Sequence, residues 1–188
     1  MNTAQPDFSQ LERPFFTRYG TRTRYQLMPI SDLEVTPQHL ADIQRICSEP
    51  EVHRWLFAPE AYTLEKAKGF VEWGQGGWQA QSHFVFLMLD PQQRIAGAID
   101  IKSPHLAASE VGYWVSQEHT GIASAALAQL VKIATQAGYC RLFAQVKPGN
   151  EKSVNVLTRN GFVQDNTYKT QTYYDRAFCL ALKNDSSR

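Results

Sequence analysis

A single α/β domain is what the sequence predicts: a mixed, mostly antiparallel sheet of about six to seven strands flanked by about four helices. Three observations predict it. Two apolar runs joined by Asp90-Pro91-Gln92-Gln93 read as an antiparallel hairpin, because proline presets the second position of a tight turn. Beyond them a strand, an amphipathic helix and another strand follow one another within residues 110–146, an order that gives a parallel pair through a right-handed crossover. The length of 188 residues, 43% of them hydrophobic, suits one sizeable core rather than two domains.

Each element is justified in chain order. Residues 1–24 carry Arg13, Arg18, Arg22 and Arg24 against Asp7 and Glu12 with little periodicity, and read as an arm laid on the surface. A strand is expected over 25–30, then helices over 36–48 and 63–79, with Thr36 and Thr63 at their N-caps. Lys66 stands where a full capping box from Thr63 needs Glu or Gln. The run GQGGW at 74–78 follows a helical pattern and reads as a loop or a broken helix end. After the hairpin and an irregular link through Pro104, EVGYWVS at 110–116 forms a third sheet strand. From Ile122 the period changes, with Ala123, Ala126, Leu127, Leu130, Val131 and Ala134 on one stripe and Gln129, Lys132 and Gln136 elsewhere, so a helix runs to about Gly138. CRLFAQV at 140–146 is a buried strand, and a further helix is expected over 150–160. Gly161 suits the left-handed position past its end, and Phe162 can pack back on Leu157. The segment 170–183 alternates enough to close the sheet as one or two strands. The chain then divides into an arm over 1–24, a domain over 25–183 and a tail over 184–188.

Composition excludes several classes of function. Nineteen Lys plus Arg against eighteen Asp plus Glu leave no global field for nucleic acid or an anionic membrane, so a charged ligand must be held locally. Cys47, Cys140 and Cys179 are odd in number and contain no CxxC pair, which argues against a disulfide framework or zinc site and fits a reducing cytoplasm. The N-terminus lacks the apolar run of a secretory signal, and no stretch approaches the roughly 18 apolar residues of a membrane span. His39, His53, His83, His105 and His119 show no metal-binding spacing, and no GxSxG elbow is present. A monomer and a homodimer are both compatible with the sequence.

The segment SQEHTGIASAAL lies between a strand and a helix whose first-turn amides are free, an arrangement that attracts phosphate through aligned N–H groups and the helix dipole. It is neither a Walker loop nor a GxGxxG dinucleotide loop. An ordinary strand-to-helix turn has the same form, so the segment alone does not decide.

With EVGYWVS, GIASAAL, VKPGNEKSV at 146–154 and NGF at 160–162 in this order, the chain resembles the GNAT acetyltransferase superfamily over 25–182. Within it the likeness is to the branch that acetylates protein N-termini, including the ribosomal-protein alanine and serine acetyltransferases. The resemblance implies acetyl-CoA as cosubstrate and an amine acceptor, a protein N-terminus above all. It also implies a splay between two parallel strands with pantetheine in the gap, bonded to main-chain groups around Trp114 and Val115. The family's pyrophosphate pattern Q/R-x-x-G-x-G/A lands on Glu118, His119, Thr120, Gly121, Ile122 and Ala123, with Ser124 following. Gly121 and Ala123 fit, whereas Glu118 and His119 depart from the pattern. Asn150 and Ser153 match the family's N-x-x-S, the asparagine toward the cofactor and the serine toward the thiol; an N-cap and a first-turn polar residue are the alternative roles.

Aminolysis of a thioester needs a neutral amine, a base and a donor for the departing thiolate. Glu110, at the head of the strand leading to the cofactor loop, is the first candidate base, with Asp100 and His105 behind it. Leu157 occupies the place where many family members carry a proton-donating tyrosine, so Ser153 is the nearest matching hydroxyl; Tyr113, Tyr173 and Tyr174 read more readily as packing. Trp55, Trp73 and Trp78 are assigned either to an acceptor groove or to core filling. Two other readings stand beside the N-terminal acetyltransferase: a small-amine acetyltransferase acting on a polyamine or aminoglycoside, and a non-catalytic acyl-CoA-binding module.

Overall fold

The computed structural model describes residues 4–182 except 12, 13, 19, 21, 57–59 and 169. The expected tail over 184–188 and, within the expected arm, Glu12 and Arg13 lie outside the described residues.

The chain forms eight strands, β1 (Phe15–Thr17), β2 (Arg24–Pro29), β3 (Phe84–Leu89), β4 (Ile95–Ile101), β5 (Ser109–Val115), β6 (Arg141–Val146), β7 (Val163–Gln164) and β8 (Arg176–Ala181). They make one sheet in the order β1-β2-β3-β4-β5-β6-β8-β7. The six to seven strands expected are joined by short pieces at both edges. The β3–β4 turn is built as its sequence dictates, with the Asp90 carboxylate accepting the N–H groups of Gln92 at 2.9 Å and Arg94 at 2.8 Å. Every neighbouring pair is antiparallel except β5–β6, which is parallel and registers just Ser109 with Leu142 and Glu110 with Phe143. Beyond Glu110 these two strands part, so the middle of the sheet is open.

Helices cover both faces. α1 (Pro37–Cys47), the short α2 (Pro50–His53) and α3 (Leu64–Ala80) lie on one side, α4 (Ile122–Gln136) and α5 (Glu151–Arg159) on the other. Strand alternation sends Val85, Leu87 and Ala98 into the core under α1 and α3, and Phe84, Phe86, Ile99 and Val111 into the core under α4. Thr36 begins α1 with a capping box in which His39 replaces the usual glutamate: the Thr36 hydroxyl accepts the His39 N–H at 3.3 Å, and the His39 ring accepts the Thr36 N–H at 3.2 Å. Thr63 caps α3 without such reciprocity, as Lys66 requires. Asp42, 1% exposed, pins α1 to β4 by accepting Arg94 through both oxygens and the Ile95 N–H at 3.2 Å. Burial opposes its charge, but Arg94 and the Ile95 amide outweigh that and hold its carboxyl below the usual range.

Two expectations are corrected. GQGGW is no break, for α3 runs through it. Its glycines answer to packing: a Cβ on Gly74 would press on Ile30 and Val85, and one on Gly77 would overlap the His83 ring. Nor does the arm merely lie on the surface. β1 extends the sheet, Phe16 is buried, and the Phe8 ring packs against Trp78 and Phe84. Its few apolar side chains are too irregularly spaced to announce that docking.

Candidate active site

A cavity of about 680 Å³ passes through the splay and is lined from both sides of the sheet. On the α4–α5 side its wall holds Thr120, Gly121, Ala123, Asn150, Ser153 and Val156. On the α1–α3 side it holds Asp100, Lys102, Glu110 and Gly112 at one end, and Trp55, Leu56, Tyr62, Phe70 and Trp114 at the other. The alternation of β5 explains this, since Glu110, Gly112 and Trp114 point one way while Val111, Tyr113 and Val115 point the other.

The six residues between β5 and α4, Ser116 to Gly121, form a tight turn that delivers the N-terminus of α4 to the cavity. Gly121 is the N-cap with φ +93°, a conformation an L side chain adopts only under strain, so the position favours glycine on backbone grounds alone. Thr120 and Gly121 line the cavity, as do Trp114, Val115 and Ala123. Glu118 and His119 do not line it. The Glu118 carboxylate turns outward toward Arg45 at 3.4 Å, and the His119 ring is fixed against Tyr25, whose hydroxyl meets its Nδ1 at 2.9 Å. The departures that set these two residues apart from the family pattern thus carry no side-chain charge into the cavity. Ile122 opens α4 and is fully buried in the core, and the Ser124 hydroxyl is bonded by the Asn160 amide at 3.0 Å, so neither side chain reaches the cavity.

Asn150 caps α5, its side chain accepting the Ser153 N–H at 3.2 Å, and both residues line the cavity. The Ser153 hydroxyl lies 2.8 Å from that of Tyr113, which reaches it from β5 across the splay. Burial pushes the Tyr113 phenol up to about 12, against the pull of Ser153, so it stays protonated. Tyr113 was legible only as a strand aromatic; its partner is 40 positions away and no local spacing reveals the pair.

Glu110 is half-buried and accepts a hydrogen bond from Gln145 at 3.1 Å. Burial raises its carboxyl above the ordinary value, with Asp100 adding to the rise and Lys102 and Gln145 opposing it. Asp100, the second candidate base, is already engaged by the Gly112 N–H at 2.9 Å and Lys102 at 3.3 Å. His105 is exposed on the link and does not line the cavity. Of the three tryptophans, Trp55 lines the cavity, Trp73 is stacked on His83 outside it, and Trp78 fills the core with its indole N–H on the Val85 carbonyl at 2.9 Å. Tyr174 lines the cavity, whereas Tyr173 is exposed.

One residue had no sequence signal beyond its helical spacing from Arg45. Glu49, between α1 and α2, accepts the Ser116 hydroxyl through one oxygen and the Gln117 N–H through the other, both at 2.7 Å. It thereby ties the segment carrying Glu51, Val52, Trp55 and Leu56 to the start of the turn that leads into α4. Among the described residues no group of His, Cys, Asp and Glu is placed to hold a metal ion, and no helix is long and apolar enough to cross a membrane.

Known proteins agree with this layout. The family model for the acetyltransferase (GNAT) domain matches residues 33–163. The ribosomal-protein α-N-acetyltransferase RimL in complex with coenzyme A superposes with a TM-score of 0.72 at 17% identity, over 92% of this chain and 100% of that one. A ribosomal-protein alanine acetyltransferase from Vibrio fischeri gives 0.66 at 20% identity, over 90% and 97% of the two chains. A spermidine N-acetyltransferase from Vibrio cholerae, in complex with CoA and spermine, gives 0.65 at 13% identity, over 84% and 95%. No curated protein matches the sequence. These neighbours share the fold, and the family match, spanning most of the chain and including the splay and its turn, gives the chemistry: the protein belongs to the GNAT acetyltransferase family and is an N-acetyltransferase with acetyl-CoA as cosubstrate.

Proposed function

We propose that the acceptor is the α-amino group at the N-terminus of a protein, ribosomal proteins being the class named for two of the structural neighbours. The observation that carries this reading is Glu110: one half-buried carboxylate, raised by burial but restrained by Lys102 and Gln145, facing the acceptor end of the cavity. A carboxylate base raised by burial suits an amine that is already partly neutral. An α-amine with a pKa near 8 is roughly a tenth neutral at pH 7, whereas a lysine amine near 10.4 is neutral in well under a thousandth of molecules. The difference corresponds to about 3 kcal/mol that a lysine-directed enzyme must supply by other means. A cytoplasmic location goes with a ribosomal-protein acceptor.

In the proposed reaction the amine nitrogen attacks the thioester carbon, its proton passes to Glu110 and on to solvent, and the C–S bond breaks as the amide forms. The Tyr113–Ser153 hydroxyl pair stabilises the departing sulfur by hydrogen bonding. It does not surrender a proton, because a thiolate with a pKa near 8.5 cannot deprotonate a phenol near 12; the proton that completes the CoA thiol comes from solvent. Pyrophosphate would lie against the main-chain amides at Thr120 to Ala123, with Arg159 also in the lining; Lys152 is paired with Glu51 at 3.1 Å. The test is thiol release from acetyl-CoA over matched peptides with free and blocked N-termini, each containing one lysine. Turnover confined to free N-termini supports the reading, and turnover on blocked peptides overturns it.

A further inference from the structure

The α1–α3 side of the cavity has two unlike halves with Gly112 between them. The place a Cβ on Gly112 would take is occupied by Lys102 Nζ and Asp100 Oδ1, 2.7 and 3.0 Å from it, so the charged half begins directly over this residue. β5 and β6 stop pairing at Glu110, so a thioester lying in the splay reaches this side beside Gly112. From that point Glu110 is about 7 Å along the strand in one direction and Trp114 about 7 Å in the other. An amine entering here thus has the Asp100, Lys102 and Glu110 cluster on one hand and an aromatic wall on the other.

That wall is a cup. Trp114 meets Phe70 edge-on with ring centroids 5.7 Å apart, and Trp55, Leu56 and Tyr62 complete the lining. The Tyr62 phenol and the buried Cys47 thiol lie close together, and burial raises both. The lining of this half is mainly aromatic and aliphatic surface, which favours an apolar side chain over a charged one. Its aromatic members are half-buried and leave apolar surface facing the cavity.

We propose that the acceptor α-amine is borne by a carbon carrying a large apolar or aromatic side chain, and that this side chain fills the cup of Trp55, Leu56, Tyr62, Phe70 and Trp114. The inference rests on the α-amine reading above and narrows it to a first residue such as Phe, Leu or Trp. A protein N-terminus and a free amino acid present the same chemistry, and the assay separates them.

The experiment measures kcat/KM for peptides identical except for a first residue of Phe, Leu, Ala or Ser, together with free phenylalanine. Phe and Leu peptides are expected to exceed the Ala and Ser peptides by about 10- to 100-fold, the range that burial of a large apolar side chain confers. Phe70→Ala is expected to bring the Phe-to-Ala ratio near unity, and Phe70→Leu, which keeps an apolar wall, to restore most of it; thermal melts confirm that both variants fold. Free phenylalanine acetylated as well as the peptide assigns the cup to an amino-acid acceptor, and a preference for the peptide assigns it to a chain terminus. Equal rates across the four peptides, or a preference for Ala or Ser, overturn the inference while leaving the α-amine reading intact. Acetylation of lysine side chains alone overturns both.

Discussion

The two sides of the cavity are made in different ways. On the α4–α5 side the wall is largely backbone and small side chains, set by one tight turn and two helix N-termini, each built from a short local stretch of chain. On the α1–α3 side it is made of side chains from α2, the segment beyond it, α3 and the ends of β4 and β5, brought together only by the fold. Main-chain amides that face the cavity from the turn do not depend on residue identity, save where Gly121 must turn. The opposite wall is made by side chains, whose identity decides what it can hold. The comparison teaches that cofactor class belongs to local structure and acceptor class to tertiary structure.

Substitutions on either side should therefore fail in different kinetic constants. The largest effect is expected at Glu110→Gln, which should lower kcat by about 100-fold or more, with acetyl-CoA affinity by calorimetry little changed. Its pH profile is the sharper readout. A base works deprotonated, so in the wild type kcat/KM should fall as pH drops through the Glu110 value, which burial has raised above that of an ordinary glutamate. The variant should lose that limb and keep the one near pH 8 that belongs to the α-amine.

Gly121→Asp should act on the other side, weakening acetyl-CoA by about 30-fold. Its φ of +93° strains any side chain, and the added charge faces phosphate. Calorimetric titration checks this, and an unchanged affinity would remove the turn from phosphate binding.

How much of this was legible before the structure follows the same division. The hairpin, the period change at Ile122, the Gly161 helix end and the strand–helix–strand order are local patterns, and the chain forms them where they were expected. Gly121 and Asn150 were read through the family pattern, and each sits at a helix start. Glu118 and His119 belonged to the pattern by position, but the direction of their side chains depends on Arg45 and Tyr25, far away in sequence. The Tyr113–Ser153 pair and the cup around Phe70 and Trp114 had no spacing by which to be read. The arm's docking was hidden for a like reason, three short apolar contacts being too few to give a period.

Glu49 crosses the division, since it sits in the segment next to the acceptor side and holds the turn of the cofactor side. Glu49→Ala should raise the KM for acetyl-CoA by about 10-fold, the two charge-assisted bonds to Ser116 and Gln117 being lost. Steady-state kinetics with each substrate varied would reveal whether acceptor KM rises too, which the link between the two sides requires. The smallest effect is expected at Tyr113→Phe, a drop in kcat of about fivefold without a change in acetyl-CoA affinity, because Ser153 can still donate to the sulfur. A loss as large as that at Glu110 would instead make Tyr113 an obligatory acid.

The central claim is that cofactor and acceptor enter the splay from opposite sides of the sheet and meet beside Gly112. A crystal structure with CoA and an N-terminally acetylated peptide bound together tests it most directly. The expected result is pyrophosphate on the amides at Gly121, the sulfur between β5 and β6, and the peptide on the α1–α3 side with its amide nitrogen facing Glu110. A peptide bound on the α4–α5 side, or held with that nitrogen out of reach of Glu110 even through one water, would contradict it.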